Sequence, residues 1–353
     1  MMRRFARNLR VRRLAVIVLV ALLAGAIVLQ RRTIIDAIGL LRGFSGSTLV
    51  ILGVLGILER VSRADVIRSL LPGTTLGRAE VIGDVGSAVS KGVPAGGPLA
   101  TLLRWQIARD SGVPAGSFVH MLVASGVAVA FVSWGYPLVA TLVDISQRDA
   151  SLADLLIIAA AAAVLGASGL FWSFALFSPK AQGWTTDRAE WVRSKFAGSA
   201  PELANGDPAA FVAEVRSSLR ATARRPFALL LRTTVAQGTG AIILWTALRG
   251  LGVGDELGVT EFARVFFVAH ILGSLAPTPG GVGVIEAGLT GALVAAGVQV
   301  DVALAGVLVY RFITYVLPIL VGTGLYLWWR RTRTPPEPKV APVAGFTAEP
   351  TGR

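Results

Sequence analysis

The stretch Leu275-Ala276-Pro277-Thr278-Pro279-Gly280-Gly281-Val282-Gly283-Val284-Ile285-Glu286-Ala287-Gly288 constrains this chain more than any other. It lies in apolar sequence, yet a regular helix cannot run through it. Pro277 and Pro279 have no N–H to donate, and Gly280-Gly281 loosens the backbone beside them. A carboxylate, Glu286, follows shortly after. Broken backbone at membrane depth is tolerated only where protein buries it or where it lines a wet cavity. The stretch is therefore a candidate site rather than a connector.

Composition decides that the surroundings are membrane. Of 353 residues, 54% are hydrophobic and 16% charged, and several apolar runs exceed what a soluble core helix needs. The net charge of +13 comes mostly from arginines between apolar runs. There it encodes orientation first and contact with anionic lipid surfaces second. No basic soluble domain is visible, so a nucleic-acid partner is not expected. The absence of cysteine excludes disulfides, thiolate nucleophiles and cysteine metal sites.

Residues 1–13 carry six arginines and no acid, which keeps this end in the cytoplasm. Leu14–Leu29 reads as an uncleaved first span, short enough to lean on snorkelling by Arg13 and Arg31. Arg31–Arg42 is amphipathic, and Phe44–Val61 is a weak second span. Most of Arg60–Arg78 is expected in the cytoplasm. Phe118–Val143, Leu155–Phe177, Pro226–Leu248 and Val302–Trp329 are further spans. The loop 178–225 is basic and cytoplasmic, with a surface helix over Asp207–Arg224. Asp144–Asp154 and Gly250–Glu261 are acidic on balance and fit the outside. Residues 330–353 form a cytoplasmic tail rich in proline, expected to be disordered.

Two segments fit neither span nor loop. Val81–Val113 is interrupted by Pro94-Ala95-Gly96-Gly97-Pro98, and Phe262–Val298 by the break described above. Each half is too short to cross at ~20 residues per span. Six full spans place both termini inside, so the first segment must enter and leave on the cytoplasmic side and the second on the outer side. The fold expected is an all-α polytopic membrane protein, with about six full spans and two Gly/Pro-broken re-entrant hairpins arranged as an inverted repeat. The hairpins also match in sequence: each has proline, a double glycine and a helical stretch closing on Gly-Val, at 112–113 and 297–298. Paired interrupted segments of this kind point to a binding site near the midplane.

The run APTPGGVGVIEAGLTGAL, with Tyr310-Arg311-Phe312-Ile313-Thr314-Tyr315 and Pro318 in the last span, resembles the flippase-like transmembrane domain of lysylphosphatidylglycerol synthases. GVPAGGP…LLRW resembles its first-half counterpart more weakly. The likeness covers roughly residues 10–330, with 14–329 as the membrane domain. It implies translocation of a phospholipid, aminoacyl-phosphatidylglycerol or another polar or glycolipid, across the cell (plasma) membrane. Because the chain ends at Arg353, it also implies a stand-alone member that could work with a separate lipid-modifying enzyme. Glu80 and Asp84 depart from the plainer sequence expected there.

The candidate substrate-binding residues are Glu286, Arg311, Arg104, Pro279, Gly280, Gly281, Gly96 and Gly97. Glu286 either meets a cationic headgroup or a coupling proton, or forms a structural ion pair with Arg311. Arg311, deep in the last span, either binds lipid phosphate or holds Glu286 in place. Arg104 either ligates phosphate or reaches the cytoplasm. The half-helices beginning near Gly281 and after Gly97 would aim free N–H groups at phosphate, while the glycines' plainer role is close helix packing. Arg232 reads as a snorkelling residue and Gln237 as an inter-helix hydrogen-bond partner. His120 and His270 read as core or interface residues.

No dinucleotide fingerprint, Walker A sequence or GxSxG occurs, so no catalytic residue, metal or cofactor is expected. Two other readings stay open. One is a membrane-embedded transferase on a lipid-linked substrate, with Glu286 as general base. The other is a non-transporting partner of a lipid enzyme.

Overall fold

A computed structural model describes residues 39–332 apart from 94–95, 147–148, 179, 182, 184–185, 188–206, 255–256 and 275–280. The N-terminal segment 1–13, the expected first span, the tail beyond Thr332, and Pro277, Pro279 and Gly280 all lie outside the described residues. Every described element is helical. In order they are α1 (Gly46–Leu70), α2 (Leu76–Gly92), α3 (Gly96–Asp110), α4 (Ala115–Ile145), α5 (Leu152–Phe177) and α6 (Pro208–Ala223). Then come α7 (Phe227–Gly250), α8 (Val259–Ser274), α9 (Val284–Ala295) and α10 (Val300–Arg311). A π turn over Phe312–Val316 joins α10 to α11 (Leu317–Thr332).

Four helices among the described residues are long and apolar enough to cross a membrane: α4, α5, α7 and the continuous α10–π–α11 rod. They coincide with four of the expected spans, and the chain is a multi-pass all-α membrane protein. The expected second span needs correcting. α1 does not stop at Val61 but runs on to Leu70, carrying Glu59, Arg60, Arg63, Asp65 and Arg68 as part of one helix. The surface helix expected at Asp207–Arg224 is α6, started by the Asp207 carboxylate, which accepts from Ala209 N–H, with Pro208 in the first turn.

Both interrupted segments fold back as helical hairpins, α2–α3 and α8–α9, with paired arms. Their packing is reciprocal. The first arm of each hairpin lies on the long helix that follows the other: α2 on α11, and α8 on α4. α1 and α7, the helices preceding the hairpins, pack along each other at the centre. The buried apolar side chains form two clusters. One surrounds the first hairpin through Ile82, Val85, Ile107 and Ile319; the other surrounds the second through Leu244, Phe266, Leu289 and Leu293. This is the packing of a duplicated unit.

The Gly-Val ending has a simpler cause than duplication. Gly112 and Gly297 take φ of 81° and 94°, and the next valines donate back to Ala108 O and Leu293 O. Gly252-Val253 does the same at the end of α7, with φ 92° and a bond to Leu248 O. All three are the left-handed helix stop that glycine permits, so the shared Gly-Val marks helix ends rather than the repeat.

Small residues allow the closest contacts. A Cβ on Gly322 of α11 would lie 2.2 Å from the Asp84 carbonyl oxygen, and one on Gly96 would lie 2.2 Å from the Val89 carbonyl oxygen. Packing of this kind is what holds helices together where lipid is as apolar as leucine. Ion pairs and arginine–carbonyl hydrogen bonds add to this. At one end, Arg264 of α8 bonds Asp144 (3.1 Å) and the fully buried Asp154 (2.5 Å), whose carboxylate also caps α5 by accepting from Ser151. At the other, Arg216 and Arg220 of α6 donate to the last carbonyls of α5, at Ala175, Ser178 and Leu176. Neither backbone at the Gly322 contact can yield, so Gly322→Ala is expected to lower stability by about 2 kcal/mol, read as a fall in the detergent-solubilised melting temperature. Gly324→Ala, which meets nothing within 4 Å, should be close to neutral.

Candidate functional site

Where the two hairpins meet, a cavity of about 420 Å³ opens among α1, α2, α3, α4, α7, α8, α9, α10 and the π turn. Its apolar wall is Met121, Leu122, Val129, Phe266, Phe267 and Ile285. Its polar lining is dominated by cations: Arg63, Lys91, Arg104 and Arg311, with Glu59 the carboxylate among them.

Arg104 reaches the cavity because a neighbour lacks a side chain. A Cβ on Gly86 of α2 would stand 1.8 Å from Arg104 Nε, so the guanidinium crosses α2 at that glycine. Nε is buried there with no hydrogen-bond partner. Lys91 sits at the end of α2 and donates to the Thr314 carbonyl (2.6 Å), while Tyr315 Oη donates to the Lys91 carbonyl (2.8 Å). These two bonds clasp the first hairpin to the π turn of the last helix. Thr314 lies inside that turn, where the helical bonding pattern is altered and local reach gained.

Arg311 and Glu286 are brought together. Arg311 Nε donates to Glu286 Oε1 (2.7 Å), and its guanidinium lies 4.1 Å from the Tyr315 ring centre. The other Glu286 oxygen accepts from Gly283 N–H (2.7 Å) at the start of α9. The ion-pair alternative weighed from sequence is thus the geometry found. α9 starts at Val284, three residues beyond Gly281, and Glu286 itself takes the N-terminal position that an incoming anion was expected to fill. Gly281 and Gly283 have φ of 68° and 82°, the left-handed turn that aims the Glu286 carboxylate back at the helix start. Gly96 serves close packing on α2, and Gly97 accepts from Thr101.

Three further polar residues sort differently. Gln237 bridges helices as expected, accepting from Ser133 and donating to the Val129 carbonyl. Arg232 is not a free snorkelling group but pairs with Asp65 (2.9 Å) on α1. His120 joins α4 to α6 through Thr222, whereas His270 lines the cavity, stacked on Phe266 with Nδ1 buried and unbonded.

Sequence reasoning missed Glu59, Arg63 and Lys91 as site residues. Glu59 is 7% exposed, and its Oε1 forms an ion pair with Arg63 Nε (3.2 Å). Its Oε2 is buried and unbonded. Arg63 Nη2 is likewise buried without a hydrogen bond, 3.9 Å from Asp84 Oδ1. Beside them, Arg60 forks onto Glu80 (2.6 Å) and Asp84 (2.7 Å), which accounts for the two acids that looked out of place in α2. A signal did exist: Glu59 and Arg63 are spaced i, i+4, one helical face, in a run with no helix breaker.

Residues 82–322, more than half of the chain, match the lysylphosphatidylglycerol synthase transmembrane region. The chain belongs to that family. No curated protein matches it. Lys91, Arg104, Glu286 and Arg311 fall inside the lysylphosphatidylglycerol synthase transmembrane region, whereas Glu59 and Arg63 precede it. Membership indicates a function concerned with membrane lipid.

Glu286→Gln and Arg311→Gln should each destabilise the protein by about 3 kcal/mol, because each strands a largely buried charge. The double substitution should cost less than the sum of the two, and a thermal-unfolding double-mutant cycle measures the difference.

Proposed function

We propose that this chain moves phospholipid headgroups between the leaflets of the cytoplasmic membrane, as a flippase or scramblase with both termini in the cytoplasm. The observation that carries the reading is the cavity: a space among the helices lined both by apolar side chains and by four cations, with the Arg104 Nε donor left unbonded. Buried donors without partners are costly, and a phosphodiester oxygen supplies what Arg104 lacks. The headgroup would cross through this enclosure while the acyl chains stay in lipid. The reading assigns the cavity to binding and passage, with membrane phospholipids as the partners and no chemical step. Arg104 is the phosphate-contacting residue on this view. Glu286 and Arg311 hold the wall, and Lys91 joins the site to the last helix.

The test is exchange of headgroup-labelled phosphatidylglycerol in proteoliposomes. Wild type should accelerate exchange over empty vesicles. Arg104→Gln should slow it about tenfold or more, consistent with losing one charge-assisted hydrogen bond of about 1.5–3 kcal/mol. Gly86→Ala should slow it similarly with little change in melting temperature, since the clashing atoms belong to the movable end of Arg104. Equal rates with and without protein that is shown to be folded would overturn the reading.

A further inference from the structure

The second hairpin borders two separate spaces. Phe266, Phe267 and His270 of α8 and Ile285 of α9 line the cavity described above. A different face of the same two helices lines a groove of about 490 Å³ between the hairpin and α5. Its apolar lining is Val265, Val268 and Ala269 on α8, Gly288 and Ala292 on α9, and Ile157 on α5. α5 and α8 both pack on α4, and the Arg264–Asp154 ion pair joins them at one end of the groove. Beyond that bridge the hairpin presents small residues, Ala269, Gly288 and Ala292, which leave the space beside α5 open. The groove opens sideways: Val284, which also lines it, is 43% exposed, and a Cβ on Gly288 would meet nothing within 4 Å.

An unfilled apolar gap forfeits the dispersion contacts of its lining, and water finds no partners in it. In a bilayer the surrounding medium is the acyl chain, as apolar as leucine and flexible enough to enter. We infer that this groove is a lipid-tail site, which seats one acyl chain of a phospholipid beside the hairpin that also lines the headgroup cavity. The dimensions fit. From Val284 to Ala292, α9 rises about 12 Å, less than half of a hydrocarbon core of about 30 Å, so the groove holds part of a chain from a single leaflet. The polar end fits as well. Arg264 is paired there with both Asp144 and Asp154, and Ser151 Oγ donates to Asp154. Two carboxylates beside that arginine repel a phosphate, so the groove takes the tail and not the headgroup. Its position connects it to the cavity, because Val284 lines the groove and the next residue, Ile285, lines the cavity. α9 is then the partition between tail and headgroup. In the orientation of the proposed function the Arg264–Asp154 bridge is on the outer side, so the chain seated belongs to the outer leaflet.

The groove's part in transport rests on the lipid-translocation reading, and the two fail separately. The full chain is reconstituted in vesicles containing phosphatidylglycerol with a photoactivatable diazirine in one acyl chain, and crosslinked residues are located by mass spectrometry. Wild type should be labelled on α9 between Val284 and Ala292 more strongly than at Val139 and Leu142 of α4, which are exposed outside the groove. The same lipid with the diazirine on its headgroup should not label Gly288 or Ala292. Gly288→Leu should lower the α9 labelling about tenfold, since the protein admits the new side chain and that side chain takes the place of the lipid tail. Gly291→Leu is the control: a Cβ there also meets nothing within 4 Å, but Gly291 does not line the groove, so labelling should stay at the wild-type level. Headgroup exchange should slow with Gly288→Leu and not with Gly291→Leu. Labelling of α9 no stronger than at Val139 and Leu142, or unchanged by Gly288→Leu, would overturn the tail site while translocation stands on wild-type exchange. The same result is expected if side chains of another segment fill the groove. Loss of labelling with unchanged exchange would overturn the groove's part in transport. Absence of exchange by folded wild type would overturn translocation, and the labelling would then decide the tail site alone.

Discussion

A charge placed within a membrane domain must find a partner, and most of this structure can be understood as the consequence. Each ionised side chain at the centre of a span costs roughly 2.5–3.5 kcal/mol on insertion scales, and lone ones are rarely tolerated. Here the charges are organised by crossing helices. Arg60 ties α1 to α2, Arg264 ties α8 to the end of α4 and the start of α5, and Arg311 ties the last helix to α9. The first and third brace each hairpin against its own neighbouring helix, whereas the Arg264 link spans 110 residues and ties the second hairpin to the helices that follow the first. The cavity is the place where the scheme is left incomplete.

That organisation explains which parts were legible in the sequence. The break before Glu286 was visible because proline and paired glycine act locally, whatever the fold around them. The spans α4, α5, α7 and the last rod were visible because an unbroken apolar run has few alternatives. The partnership of Arg311 with Glu286 was visible as one of two options, since two deep charges of opposite sign in neighbouring segments seldom avoid each other. The lower half of α1 was hidden for the complementary reason. A hydropathy reading treats Glu59, Arg60 and Arg63 as evidence for water, whereas their partners Glu80 and Asp84 lie on another helix. The Gly-Val ending misled in a third way, because one local helix stop serves many helices.

Arg104 shows how a site can depend on an absence. Sequence singled it out by its place in the first hairpin but left open whether it turned inward or out. The answer lies in Gly86, on the other arm of the same hairpin, where only a hydrogen stands in the guanidinium's path. Neither residue announces the pairing alone. In the second hairpin, Gly281 and Gly283 take the left-handed turn that brings the Glu286 carboxylate back onto the Gly283 N–H.

The π turn at Phe312–Val316 has a geometric consequence for the last helix. Such a turn stores one residue more than an α-helix of equal length. Passing that residue along the rod would turn one end against the other by about 100°, the rotation of a single helical step. Arg311 stands immediately before the turn, so it would swing away from Glu286 or back towards it as the stored residue moved. Lys91 grips the Thr314 carbonyl within that turn, and Tyr315 grips Lys91 in return. The first hairpin is therefore bonded to the last helix inside the turn itself, a few residues beyond the arginine that pairs with Glu286.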